Sequence, residues 1–213
     1  MSLKTLEPTT KTLLPATKKG AFQIRIIEGV SAPEELAALK QFISRIYSEA
    51  GYVNSPYKNI DLDPWSTWFY VTLGDQILSA MRIVEKKPEN FIPLEQAIKH
   101  NSIPQIRYAL LEDNVADWNS VAFERTLNGA KAAKINFAVV ANYCIKQGFD
   151  MVYGMYNPVL EGIQSIYLEA GARVSERFPG PVYFPGFELK GELALLQIVE
   201  ISKTTLHQIA AKV

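Results

Sequence analysis

The chain is short of the residues that usually announce chemistry. It holds one cysteine, Cys144, and two histidines in 213 residues. A single cysteine excludes an internal disulfide, as expected of a reducing cytoplasm. His100 has no metal-ligand or triad spacing around it and reads as a surface side chain. Neither charge is in surplus, with Lys+Arg and Asp+Glu both at 22, so no overall field gathers nucleic acid or an anionic membrane. No run of 18 apolar residues occurs, which leaves no candidate membrane-spanning helix. The first twenty residues lack the apolar core of a secretion signal. Residues 1–20 are rich in Thr, Pro and Lys and are expected to form a flexible leader. Residues 21–213 are expected to form one domain around a single core, in a soluble cytoplasmic protein.

What is present is a mixture of strand and helix patterns. Phe22–Glu28 alternates as a first strand. Ser31 is placed to cap a helix, with Glu34 three residues on completing a capping box. Leu36, Leu39, Phe42, Ile43, Ile46 and Tyr47 give that helix its buried stripe, and it should end near Gly51. Arg45 lies beside the stripe, either as a solvated cation favoured by the helix dipole or as a site residue. Asn54–Pro64 is a loop carrying Asp61 and Asp63. Such a pair caps turns, orients an arginine or meets a substrate; no histidine or further carboxylate nearby suggests a metal. Thr67–Leu73, the Gly74-Asp75 turn and Gln76–Val84 form a hairpin. Glu95–His100 and Gln105–Glu112 are each expected as short helices. Glu192–Ser202 reads as a last strand, and Thr204–Val213 as a short helix.

The organising stretch runs from Trp118 to Gly171. A strand over Ser120–Thr126 meets a turn at Asn128-Gly129, then a helix with Ala133, Phe137, Val140, Ala141, Cys144 and Ile145 on one face. Cys144 belongs to that apolar stripe as a core residue. Gly148 stops the helix, and Phe149–Met155 is a buried strand. Pro158 opens a second helix with Ile163, Ile166, Tyr167 and Ala170, ended by Gly171. The strand–helix–strand–helix order allows the two strands to lie parallel.

With Tyr167 four residues before Gly171, this order resembles the second half of the GNAT acyltransferase fold. Arg45-x-Tyr47, the acidic loop, Ser66-Thr67 and the strand ending Met81-Arg82-Ile83-Val84 resemble one branch of it, the acyl-homoserine-lactone and N-acyl amino acid synthases. The resemblance implies an α+β, α/β/α fold. In it a mixed sheet of six or seven strands has a splayed parallel pair that admits an acyl thioester. It implies an N-acyltransferase moving an acyl group, long in this branch, from acyl-CoA or acyl carrier protein to a small amine, with no metal. Tyr167 would be the acid, Glu124 would serve the amine, and Arg45, Asp61, Asp63, Arg82 and Arg125 would line the substrate site. Phe123 to Thr126 would supply oxyanion donors at a strand bulge. The Arg125-Thr126-Leu127-Asn128-Gly129-Ala130 run, with Lys131 and Lys134, would meet the donor's phosphates. Phe69, Met81, Phe123, Phe137, Met155 and Phe184 are candidate tunnel walls. Two positions depart from the branch: the acidic pair is closely spaced, and Ala122 stands where Glu-x-x-Arg would begin. A GNAT-like binding module without activity and a small-acyl GNAT are the alternatives.

Overall fold

The computed structural model describes residues 20–56 and 60–212. All of the leader except Gly20 therefore lies outside the described residues. β1 (Phe22–Glu28) leads to α1 (Pro33–Glu49) and a short β2 (Tyr52–Val53). β3 (Ser66–Leu73) and β4 (Gln76–Glu85) form the expected hairpin about Gly74, whose φ of 60° suits glycine. Then come α2 (Pro93–Gln96), β5 (Ile98–Lys99), β6 (Val115–Phe123), α3 (Leu127–Gln147), β7 (Met151–Tyr156) and α4 (Glu161–Glu169). The short strands β8 (Arg173–Val174), β9 (Val182–Tyr183), β10 (Glu188–Leu189) and β11 (Glu192–Leu193) precede β12 (Gln197–Ser202) and α5 (Lys203–Ala210).

Seven strands make one mixed sheet in the order β1-β3-β4-β6-β7-β12-β8. Among the described residues of this sheet, only β6 and β7 pair in parallel. Alternation along the strands sends Phe69, Met81, Ile83, Ala116 and Trp118 to one face, under α3, α4 and α5. Trp68, Tyr70, Ala80 and Ala122 go to the other face, under α1. Further along that second face, Val84, Val115 and Tyr153 pack under α2 and the 178–196 excursion, including Phe178, Phe184 and Phe187. Burial on both faces explains why the central strands read as unbroken apolar runs. Cys144 is fully buried in the first of these clusters, and burial pushes its thiol pKa up, as befits a core residue.

Several boundaries differ from expectation for identifiable reasons. Ser31 does not cap α1: its N–H donates to Glu28 O in the turn leaving β1, and Pro33 opens the helix behind Ala32. β6 begins at Val115, well before Ser120, because Asp117, which interrupts the apolar run, is buried with hydrogen-bond partners. It ends at Phe123. Asn128-Gly129 is no turn but the first turn of α3, capped by Thr126, whose Oγ accepts from Gly129 N at 3.0 Å. Pro158 stays outside α4, in a turn where Asn157 Oδ1 accepts from Val159 N. Glu95–His100 splits into α2 and β5. Residues 105–112 form no helix: Ile106 O accepts from Lys99 N and Arg107 bridges Ile98 in extended chain. The last expected strand is two, β11 and β12, and α5 is capped by Ser202.

Candidate active site in the gap between the parallel strands

Pairing of β6 with β7 runs from Val115↔Met151 to Trp118↔Gly154 and then stops. Both strands continue, β6 to Phe123 and β7 to Tyr156, so the expected splay is present. The gap opens into a cavity of ≈ 470 Å³ on the sheet face covered by α1 and the 178–196 excursion. That volume lies within the roughly 300–1,000 Å³ usual for small-molecule sites. Its walls are mainly apolar, among them Ile46, Leu62, Val121, Met155, Ile163 and Phe187. Tyr52 stacks on Phe187, with centroids 4.9 Å apart, and Tyr47 tilts against Tyr52, giving one side an aromatic wall.

At the mouth of the gap β6 carries a bulge. Ala80 pairs with Ala122 but Arg82 with Asn119, so Ser120 and Val121 together oppose Met81. Ser120 takes a φ of 53°, a left-handed conformation that non-glycine residues seldom adopt. The insertion changes which groups face the gap. The Trp118 carbonyl turns toward β7, where it accepts from the Tyr167 hydroxyl at 3.4 Å. Regular alternation would turn Glu124 the same way. Its N–H instead donates to Leu78 O on the β4 side at 2.9 Å. The bulge has advanced the alternation by one, so the N–H groups of Val121 and Phe123 face the unpaired edge. The resemblance implies a bulge around Phe123 to Thr126; the structure has it about three residues earlier, at Ser120, and uses Thr126 to cap α3.

Of the expected site residues, Tyr167, Arg82, Arg125 and Phe123 line the cavity. Tyr167 is almost wholly enclosed, and burial pushes its pKa up, so it is held as a neutral phenol able to donate. Arg82 is buried, donates from Nε to Asn119 Oδ1 at 2.7 Å and stacks over Trp68 at 4.9 Å. Arg45, Asp61, Asp63 and Glu124 are not among the lining residues. The Glu124 carboxylate is engaged by Arg45, which also binds Glu49 at 2.8 Å and whose pKa these bonds raise. Glu124 follows the last residue of β6 and lies, like Ala122, on the side of the sheet under α1, where Arg45 takes its carboxylate. Asp63 pairs with Lys40, and Asp61 accepts from Asp63 N at 3.0 Å as a turn cap. Phe123, Met155 and Phe184 are wall residues as expected; Phe69, Met81 and Phe137 are in the core behind the sheet.

α3 begins at Leu127, two residues after Arg125, which lines the cavity. Thr126 and the helix account for the N–H groups of Gly129 and Ala130, leaving those of Leu127 and Asn128 without a helical partner. Arg125 and Lys131 are exposed beside them. Gly129 is required here: a Cβ would sit 2.0 Å from the Glu124 carbonyl oxygen. Among the described residues no group of three or more His, Cys, Asp or Glu could hold a metal, and no helix is long and apolar enough to cross a membrane. Sequence reasoning missed Asn119, Ser120 and Asp117. The Asp117-x-Asn119-Ser120 string of polar residues inside a strand was the available signal.

No protein-family model matches the chain. No curated protein matches it either. Solved structures do. FeeM, an N-acyl amino acid synthase from uncultured soil microbes, superposes with a TM-score of 0.60 at 16% identity, over 87% of this chain and 93% of its own. The acyl-homoserine-lactone synthase LasI gives a TM-score of 0.62 at 16% identity, over 90% and 96%. A GNAT-family acetyltransferase from Staphylococcus aureus MU50 gives 0.54 at 14%, over 85% and 99%. The chain therefore has the GNAT fold, in the form that it shares with N-acyl amino acid and acyl-homoserine-lactone synthases.

Proposed function

We propose that the protein is an N-acyltransferase that moves a medium or long acyl group from a thioester to a small amine. One observation carries this proposal: the splayed strands open into a largely apolar cavity of ≈ 470 Å³, with a bulged strand at its mouth. The donor thioester lies in the gap with its carbonyl toward Val121 and Phe123, and its chain runs toward Met155, Phe184 and Phe187. Coenzyme A or a carrier protein brings the acyl group, with donor phosphates against the α3 N-terminus and Arg125, Asn128 and Lys131.

The amine nitrogen attacks the thioester carbonyl carbon, and the oxyanion accepts from the strand N–H groups. Collapse breaks the C–S bond, and the departing thiolate takes a proton from the Tyr167 hydroxyl. The acylated nitrogen releases its proton to solvent, and solvent returns one to Tyr167. Because Glu124 is held by Arg45, and the described lining residues include no carboxylate or imidazole, the amine enters in its neutral form. The test is transfer itself: octanoyl coenzyme A is incubated with the protein and an amino-acid mixture, and N-octanoyl products are sought by mass spectrometry. Products above the protein-free control support the proposal; hydrolysis alone, or no reaction with coenzyme A and carrier-protein donors alike, refutes it.

A further inference from the structure

The cavity's polar end is held from behind by a buried carboxylate that no step above uses. Asp117 is fully enclosed, on the sheet face that also carries Arg82 and Val84. Its Oδ2 accepts from the Leu94 N–H of α2 at 3.2 Å, and its Oδ1 accepts from Asn119 Nδ2 at 2.8 Å. Asn119 Nδ2 also donates to the Asp117 backbone oxygen at 3.4 Å, so the amide's nitrogen is held on the Asp117 side by two acceptors. With Nδ2 turned toward Asp117, Oδ1 faces the cavity side, where it accepts from Arg82 Nε at 2.7 Å and Ser120 Oγ at 2.9 Å. The Asp117 carboxylate only accepts and the Arg82 Nε–H only donates, so the two hold the amide in this orientation from opposite sides; an amide at 117 would give up the carboxylate's half of that constraint.

We propose that Asp117 is a positioning residue of the acyl-transfer site, fixing the Asn119 amide and, through it, the Arg82 guanidinium and the Ser120 bulge. The inference rests on acyl transfer taking place in this cavity. Its supporting cost is visible in the electrostatics. Burial lifts the Asp117 pKa to about 6, against the lowering effects of Asn119, the Arg82 charge and the Leu94 N–H. A buried charge kept at such a cost is characteristic of functional sites. Among the described residues, few groups face Asp117. β4 contributes Arg82, and β7 contributes Tyr153 as the register partner. α2 contributes the Leu94 N–H, with neighbouring Glu95 committed to Lys86 at 2.7 Å. α4 contributes Tyr167, whose ionisation the Asp117 charge opposes. Protonation of Asp117 places an O–H donor beside the Asn119 amide and removes the carboxylate's share of the constraint.

Two readouts test this on the full chain. In acyl transfer from octanoyl coenzyme A to an amino-acid mixture, wild-type kcat/KM, referred to the concentration of neutral amine so that protonation of the acceptor drops out, should fall on the acid side with a midpoint near 6, the value to which burial lifts Asp117. Asp117→Asn should lose about 10- to 100-fold, the scale of a small misplacement at a reacting site, and should lack that acid limb. Independently of turnover, the Arg82 Nε–H resonance, assigned by its loss in Arg82→Lys, should titrate with the same midpoint and shift in Asp117→Asn. Asn119→Ala breaks the same chain without altering the buried charge and should give the same kinetic loss, which covers misfolding of the first variant. An Arg82 resonance indifferent both to pH and to Asp117→Asn overturns the inference, as does an acid limb that survives in Asp117→Asn. A resonance that behaves as expected in a protein that transfers no acyl group supports the Asp117–Arg82 coupling and counts against acyl transfer instead.

Discussion

Replacing Asp117 with asparagine should change stability with a sign opposite to that of most aspartates. Burial raises the native pKa of Asp117 from 3.8 to about 6. In that interval the native protein binds more protons than the unfolded chain, so stability falls as pH rises through it. A rise of about two pH units, at about 1.4 kcal/mol each, amounts to about 3 kcal/mol. This cost is absent below the unfolded pKa and fully present above about 7. The amide of the Asp117→Asn variant does not titrate. The wild-type minus variant difference in unfolding free energy should therefore decline by about 3 kcal/mol between about pH 4 and pH 7, then level off. The introduced amide also brings an N–H₂ toward the Leu94 N–H or Asn119 Nδ2, a mismatch of roughly 1–3 kcal/mol. That term is independent of pH and cancels from the slope. Urea unfolding of both proteins at one-unit pH steps measures the difference directly. A difference that is flat, or that rises with pH, would refute the buried-carboxylate assignment.

Two further substitutions separate chemistry from architecture. Tyr167→Phe should slow transfer by about 10- to 1000-fold with folding intact, since it removes one positioned proton donor; steady-state kinetics with a matched unfolding curve checks both halves. Gly129→Ala should destabilise the protein by about 3 kcal/mol or more, the upper end of overpacking costs, because its Cβ would meet backbone. An unfolding midpoint equal to wild type would show that the first turn of α3 shifts freely.

The fold is legible where side-chain periodicity and single glycines decide local structure. The α3 stripe, the Gly74 turn and the Gly148 cap at φ 77° follow from the sequence because each is set by neighbouring residues. The splay is reached only through the resemblance that the order of strands and helices around Tyr167 carries. The cavity's polar end is not legible. Asp117 reads as a break in a strand until Leu94 of α2, 23 residues earlier in the chain, is seen to donate to it. That bond is a tertiary contact with no local signature. The Ser120 bulge is equally hidden, since its cause is a register shift against β4. Arg45 and Glu124 read as site residues from the sequence, yet their pairing across 79 residues takes both away from the cavity. The tunnel walls divide by strand parity: Phe69 and Met81 point to the opposite face of the sheet from Arg82, and sequence patterning does not say which face a cavity occupies.

The most direct measurement is the affinity of the protein for acyl thioesters of increasing length, from acetyl to octanoyl coenzyme A, by competition against one labelled donor. A chain lying along Met155, Phe184 and Phe187 should tighten binding by up to about 0.8 kcal/mol, roughly fourfold, for each methylene added. Six methylenes then favour octanoyl over acetyl by up to about 5 kcal/mol, less the cost of ordering the chain. Equal affinity across the series, or an optimum at acetyl, would contradict an acyl chain in the cavity beside the splayed strands.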